Sequence, residues 1–315
     1  MTDRINGILQ GYFRSVRHST PSSAKWSLES EGKHTSSETG IQMGTDQRSV
    51  VDYFDAESSY WQGLYSGDDV FAIIHQQRRS MALQYFDELS LPNTARVLEV
   101  GCGAGLLTVD LARRGYTIEA LDRAKSMVEL TRRNALECGA ENSVKARIGD
   151  VCQLPFSDAT FECLIALGVL PWVANIHGAL KEVSRVLVPG GYAIFNVDNR
   201  HRLNHLLDPA DMPALAGLKA RLKKMLSKSR LRKPSREPEV YRYTLKEFDQ
   251  LLTSAGLVRT KYHMIGFGPF SFFKYEPFSG PIGVKLHRRL QQYSDRGSPL
   301  LRSTGSQILV AGRKA

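Results

Sequence analysis

The sequence is short of cysteine, of long apolar runs and of acids to balance its bases. Only Cys102, Cys138, Cys152 and Cys163 occur among the 315 residues, with no C-x-x-C spacing. That excludes a disulfide framework and a cysteine-built zinc site, and the expectation is four small buried hydrophobes in a reducing compartment. No stretch of about 18 consecutive apolar residues exists, so no membrane-spanning helix is expected. The first residues lack the basic, apolar, small-residue order of an export signal, which makes cytoplasmic the expected location. Nothing in the pattern calls for a metal.

The acids number 32 against 42 Lys and Arg, a net charge of +10. The imbalance is regional: between Arg200 and Arg236 eleven Lys/Arg face two Asp. A basic region of this kind suits an acidic partner or an anionic surface. It holds almost no aromatics on which bases could stack, which argues against nucleic acid.

What is present is enough for a core, at 42% hydrophobic residues, and a strongly patterned centre. Ala95 to Gly105 reads A-R-V-L-E-V-G-C-G-A-G. Val97, Leu98 and Val100 have the apolar continuity of a strand buried on both faces. Gly101, Gly103 and Gly105 follow at alternate positions, and Leu106 to Arg114 reads as a helix. A strand feeding a helix through such a turn builds a nucleotide site in doubly wound α/β folds. The spacing E-x-G-x-G-x-G, with Glu99 two residues before the first glycine, is not the dinucleotide fingerprint G-x-G-x-x-G.

Downstream, strands are expected at Tyr116–Leu121, Val144–Ile148 and Phe161–Leu167, with a helix at Ala124–Cys138 between the first two. Asp122 ends the second strand, 21 positions beyond Gly101, where a nucleotide fold hydrogen-bonds ribose hydroxyls. The run A-L-K-E-V-S-R-V-L-V-P-G-G-Y (Ala179 to Tyr192) reads as an amphipathic helix that ends at Leu187 with Pro189 as its stop, a Gly190–Gly191 turn, and a fifth strand from Tyr192 to Val197.

From Arg96 to Val197 the chain resembles the class I S-adenosylmethionine-dependent methyltransferases, particularly the small-molecule branch that holds ubiquinone and menaquinone biosynthesis enzymes. The resemblance implies a Rossmann-like doubly wound sheet of seven strands with an antiparallel last strand, and S-adenosylmethionine as cofactor. It implies cofactor contacts at Glu99, Gly101, Cys102, Gly103, Gly105, Asp122, Arg123, Met127, Asp150, Val151 and Leu167. Asp150, just past the third strand, would accept from the adenine amino group with Val151 against the ring. The sequence departs from many relatives at Gly168 to Ala174, where Pro171-Trp172 stands in place of a histidine motif.

The flanks are read in the same light. Residues 1–48 are expected to be a disordered arm, with Ile5 to Arg17 at helical spacing, and residues 49–92 a helical segment over the cofactor mouth. Residues 93–315 would be the methyltransferase domain, with insertions at 198–243 and 266–306. Tyr60, Trp61, Tyr65 and Trp172 are candidate acceptor contacts. The insertion reads as a basic lid, and residues 215–236 as a contact with an anionic membrane surface. Phe267, Phe270, Phe272, Phe273, Tyr275 and Phe278 cluster in the tail. Together these point to methyl transfer to a small or lipid-linked acceptor, at oxygen or carbon. The competing readings are an RNA methyltransferase and a cofactor-binding subunit without activity. His75, His177, His205 and Tyr65 are candidate bases that the sequence does not rank.

Overall fold

The structure, a computed structural model, describes residues 47–208, 240–271 and 276–315. All of these fall in the unit Gly32–Ala315. In chain order the described elements are α1 (Gln47–Ala56), α2 (Ser58–Leu64), α3 (Val70–Glu88), β1 (Arg96–Val100), α4 (Leu106–Arg113), β2 (Thr117–Asp122), α5 (Lys125–Glu137), β3 (Val144–Ile148) and β4 (Phe161–Ala166). A 3-10 turn (Leu170–Trp172) follows, then α6 (Ile176–Val186), β5 (Leu187–Asn199), α7 (Leu203–Leu207), β6 (Arg242–Tyr243), α8 (Leu245–Ser254), β7 (Leu257–Ile265), α9 (Gly280–Asp295) and β8 (Gln307–Lys314).

Alternating side chains explain the layers. Val97 on β1 joins one buried cluster with Ile74 and Phe86 of α3, Leu107 and Leu111 of α4, Val128 of α5 and Val284 of α9. Leu98 and Val100, one residue out of phase, join the other with Leu180 and Val183 of α6 and Phe248 and Leu252 of α8. A strand whose two faces are both apolar must be covered on both sides, and helices do so here. The sheet order is β3-β2-β1-β4-β5-β8-β7, with β6 added to β5. β1 to β5 run parallel, and β8 lies antiparallel between β5 and β7. The reversal on either side of β1 puts a crevice at the carboxyl ends of β1 and β4, where ligands of such sheets bind.

Local chemistry fixes the helix starts. Asp69 caps α3 by accepting from the Ala72 amide at 2.8 Å. Thr244 and Glu247 form a reciprocal capping box on α8.

Two expectations are corrected. Helix α6 ends at Val186, before Pro189, because Leu187 is already extended and pairs with Phe161. Pro189-Gly190-Gly191 is then an irregularity inside β5, with Gly190 at φ +75°, rather than the turn ahead of a new strand. Of the cysteines, Cys102 and Cys163 are buried, but Cys152 is half-buried and Cys138 is exposed at the end of α5.

The arm through residue 46, the basic stretch at 215–236, and Phe272, Phe273 and Tyr275 lie outside the described residues. The same applies to the helix expected near Ile5. Among the described residues no helix is long and apolar enough to cross a membrane.

Candidate functional site

The glycine loop is a conformation before it is a set of contacts. Gly101, Gly103 and Gly105 sit at φ +72°, +55° and +75°, a region that side chains with a Cβ resist. The Gly101 and Cys102 amides both donate to the Leu121 carbonyl, at 2.7 and 3.0 Å, which ties the loop to the end of β2. A Cβ at Gly101 would lie 2.1 Å from Val169 Cγ2, and one at Gly105 2.9 Å from Thr131. At Gly103 it would meet nothing within 4 Å. The loop is therefore locked at both ends and open at its centre.

The acids are arranged around that opening. Asp122 accepts from the Gly103 amide at 3.0 Å and from the Ala124 amide at 2.9 Å, and the Arg123 amide bonds the same carboxylate. Burial pushes the Asp122 carboxyl upward. The Asp122 carbonyl in turn accepts from Gly149 at 3.0 Å, which brings Asp150 alongside. Asp150 accepts from the Cys152 amide at 2.9 Å and faces Arg123 at 3.6 Å. Val151 and Met127 are buried.

Glu99 lies deeper. It is 3% exposed, accepts from the Thr108 hydroxyl of α4, and is pushed up to about 8 by burial. Leu167, at the end of β4, is half-buried beside the Gly101 turn.

An aromatic wall stands beside the loop. Trp172, on the 3-10 turn after β4, meets Phe54 edge-on at 5.4 Å and Tyr53 at 6.2 Å. Trp61 packs on Phe54 at 5.4 Å, and Tyr60 on Trp61 at 5.6 Å. Asp55, between the wall residues, accepts from both the amide and the hydroxyl of Ser126 at the start of α5. Tyr65 adjoins the wall through His75, whose ring lies 6.4 Å from Tyr65 and 6.1 Å from Trp61, and its hydroxyl accepts from Arg78 at 3.3 Å.

The histidines now separate. His177 is exposed and bonds Ser254, on the α6–α8 side of the sheet. His75 is buried, bonds the Phe71 carbonyl, and is pushed down to about 3 mainly by burial. His205 falls to about 3 by burial with the Arg202 and Arg242 charges adding to it.

A polar layer absent from the sequence reading lies at the end of β5. Arg78 and Asn196 are buried, and Asp198 is enclosed beside them. The sequence hints are an arginine on the core-facing side of α3 and the polar pair N-V-D closing an otherwise apolar strand.

Residues 98–195 match the family described as a methyltransferase domain. The chain is 27% identical over 154 residues to a sterol 4-C-methyltransferase of Caenorhabditis elegans, covering 45% of this chain and 46% of that protein. It is 32% identical to a ubiquinone biosynthesis O-methyltransferase of Alkalilimnicola ehrlichii, covering 51% of this chain and 66% of that one. The chain thus spans about half to two thirds of the length of the curated relatives it matches. In fold it is similar to magnesium protoporphyrin IX methyltransferase from Synechocystis, with a TM-score of 0.56, 17% identity, and 86% of this chain and 100% of that one covered. The [4+2]-cyclase SpnF is alike to the same degree, at TM-score 0.56 and 16% identity, over 86% of this chain and 96% of that one. Strand order, glycine loop and strand-end acids agree with that family match, and the segment from Leu98 to Phe195 is a methyltransferase domain.

Proposed function

We propose that this chain transfers the methyl group of S-adenosylmethionine to a small lipophilic acceptor. The observation that carries the reading is the open centre of an otherwise locked glycine loop, with Asp122 bonded to Gly103 at its rim. The donors and acceptors present fit the cofactor. Asp122 stands at the rim as an acceptor for the ribose, Asp150 has lone pairs left for an adenine amino group, and buried Val151 and Met127 supply apolar contact for the ring. Glu99 is the buried carboxyl nearest the methionine end of the loop.

When bound, the group supplies a methyl made electrophilic by its sulfonium. The chain's own part is to hold an acceptor atom in line and to keep water out. Tyr53, Phe54, Trp61 and Trp172 are suited to the second task and to contact with a flat or aliphatic acceptor. Relatives include a sterol C-methyltransferase and ubiquinone O-methyltransferases, which supports a lipophilic acceptor methylated at carbon or oxygen.

A second reading is cofactor binding without methyl transfer. The observation in its favour is that the site's own histidines, His75 and His205, are both held at about 3 and are poor bases. Calorimetric titration with S-adenosylmethionine, S-adenosylhomocysteine and NAD tests what the two readings share. Binding of the first two and not the third is expected; no binding of any removes both.

A further inference from the structure

At the carboxyl end of β5 the register lines up polar side chains across three strands. Asp198 is paired with Arg242 of β6 on one side and with Gln307 of β8 on the other. Cross-strand partners stand about 5 Å apart and point to the same face, and Asn196, two residues back, shares it. Asn196 accepts from the Gly168 amide at 2.5 Å, which joins this row to the turn after β4. From above, the Arg78 guanidinium reaches the same turn: a Cβ at Gly168 would lie 3.4 Å from its terminal nitrogens.

This layer is buried, yet several of its polar atoms have no partner. Arg78 is 6% exposed and Asn196 0%. Arg78 Nε, Arg242 Nε and Asn196 Nδ2 lack an acceptor, and Gln307 Oε1 lacks a donor. An unpaired buried donor costs about 1–3 kcal/mol, so several together, three donors against one acceptor, point to a ligand rich in acceptor oxygens. The charges agree. Arg78, Arg202 and Arg242 face Asp198, which Arg202 meets at 3.8 Å. Asp208, bonded to Ser271, is the other carboxylate nearby. His75 and His205 are neutral at pH 7. Guanidiniums exceed carboxylates by one, which one carboxylate would balance and a diphosphate would overshoot.

We propose that the acceptor carries a carboxylate, seated on Arg242, Asn196 and Arg78 at the end of β5. The inference deepens the methyl-transfer reading and rests on it for the word acceptor. The aromatic wall would then take the apolar body, and the polar row would fix which end faces the cofactor loop.

The test titrates the full chain, saturated with S-adenosylhomocysteine, with benzoate and with benzamide as its uncharged match. Benzoate is expected to bind at least about tenfold more tightly. Asn196→Asp keeps the oxygen that accepts from Gly168 and replaces the unpartnered donor with an acceptor. It is expected to weaken benzoate at least about tenfold while S-adenosylhomocysteine affinity stays within about twofold. Arg242→Gln should do the same, and retained S-adenosylhomocysteine binding reports that each variant is folded. Equal binding of the two probes, absence of benzoate binding, or indifference to Asn196→Asp overturns the site and leaves the layer to buried water. If S-adenosylhomocysteine itself does not bind, the methyl-transfer reading fails, and benzoate against benzamide on the unloaded chain still decides the carboxylate site.

Discussion

The two halves of the sheet's carboxyl edge are built in opposite ways. Along β1 to β3 the site is made of backbone conformation, with positive-φ glycines, amides turned on the Leu121 carbonyl, and an Asp122 that clamps the loop. At β5, β6 and β8 it is made of side chains, with Asn196 and Asp198, Arg242 and Gln307 from three strands aligned by register and Arg78 of α3 beside them. A site held by conformation is spoiled by adding an atom. A site held by side chains is spoiled by removing one. The first half should therefore be intolerant and fixed in specificity, and the second tolerant and tunable.

The largest expected effect concerns the most deeply buried carboxyl of the first half. Glu99 is held at about 8 by burial, against 4.5 for a free glutamate. The folded chain keeps that proton over an interval in which the unfolded chain has lost it. Its contribution is full below pH 4.5 and disappears as pH rises through 8, with a ceiling of about 5 kcal/mol. His75, lowered from 6.5 to about 3, acts in the opposite sense and contributes no slope above about pH 6.5. Urea unfolding between pH 6.5 and 8.5 should show stability falling in the wild type and a flatter profile in Glu99→Gln. Equal slopes would remove Glu99 as the source.

Next come the glycines themselves. Gly101→Ala adds a Cβ 2.1 Å from Val169 in a strained backbone region, and should cost about 3 kcal/mol of stability. Gly103→Ala meets open space and should cost only about 1 kcal/mol. Its effect should fall instead on S-adenosylhomocysteine affinity, weakened by roughly tenfold because the new methyl enters the space assigned to the ligand. Thermal unfolding and calorimetry on both variants separate the two. Unchanged affinity in Gly103→Ala would place the ligand elsewhere.

The same contrast explains what could be read from the sequence. Glu99, the alternate glycines and Asp122 lie within one strand–turn–helix–strand unit, so spacing alone brought them together. The bounds expected for Val144–Ile148 match β3 for a related reason: apolar continuity between turn residues is local. The resemblance likewise gave the antiparallel last strand. The row around Asp198 escaped because Gln307 reaches it only when β8 enters between β5 and β7, and Arg242 only when a two-residue strand joins β5 after a long insertion. The turn expected at Gly190–Gly191 became an irregularity in β5 because pairing of Leu187 with Phe161 is long-range and outweighed the local punctuation.

The smallest effect tests where the halves meet. Asp55 is a polar link between the α1–α2 segment and the cofactor half, taking two bonds from Ser126 at 3.0 and 2.6 Å at the first turn of α5. A carboxylate there also suits the helix dipole. Its neighbours Tyr53 and Phe54 lean on Trp172. If this segment shuts the cofactor in, Asp55→Ala should cost about 1 kcal/mol and speed release of S-adenosylhomocysteine several-fold, with little change in its rate of entry. Stopped-flow tryptophan fluorescence can follow this, because Trp61 and Trp172 both lie in the wall. A lowered melting temperature with unchanged release would reduce Asp55 to a helix cap. The segment would then be a fixed wall of the acceptor half, and the cofactor half would have to retain its ligand by the glycine loop alone.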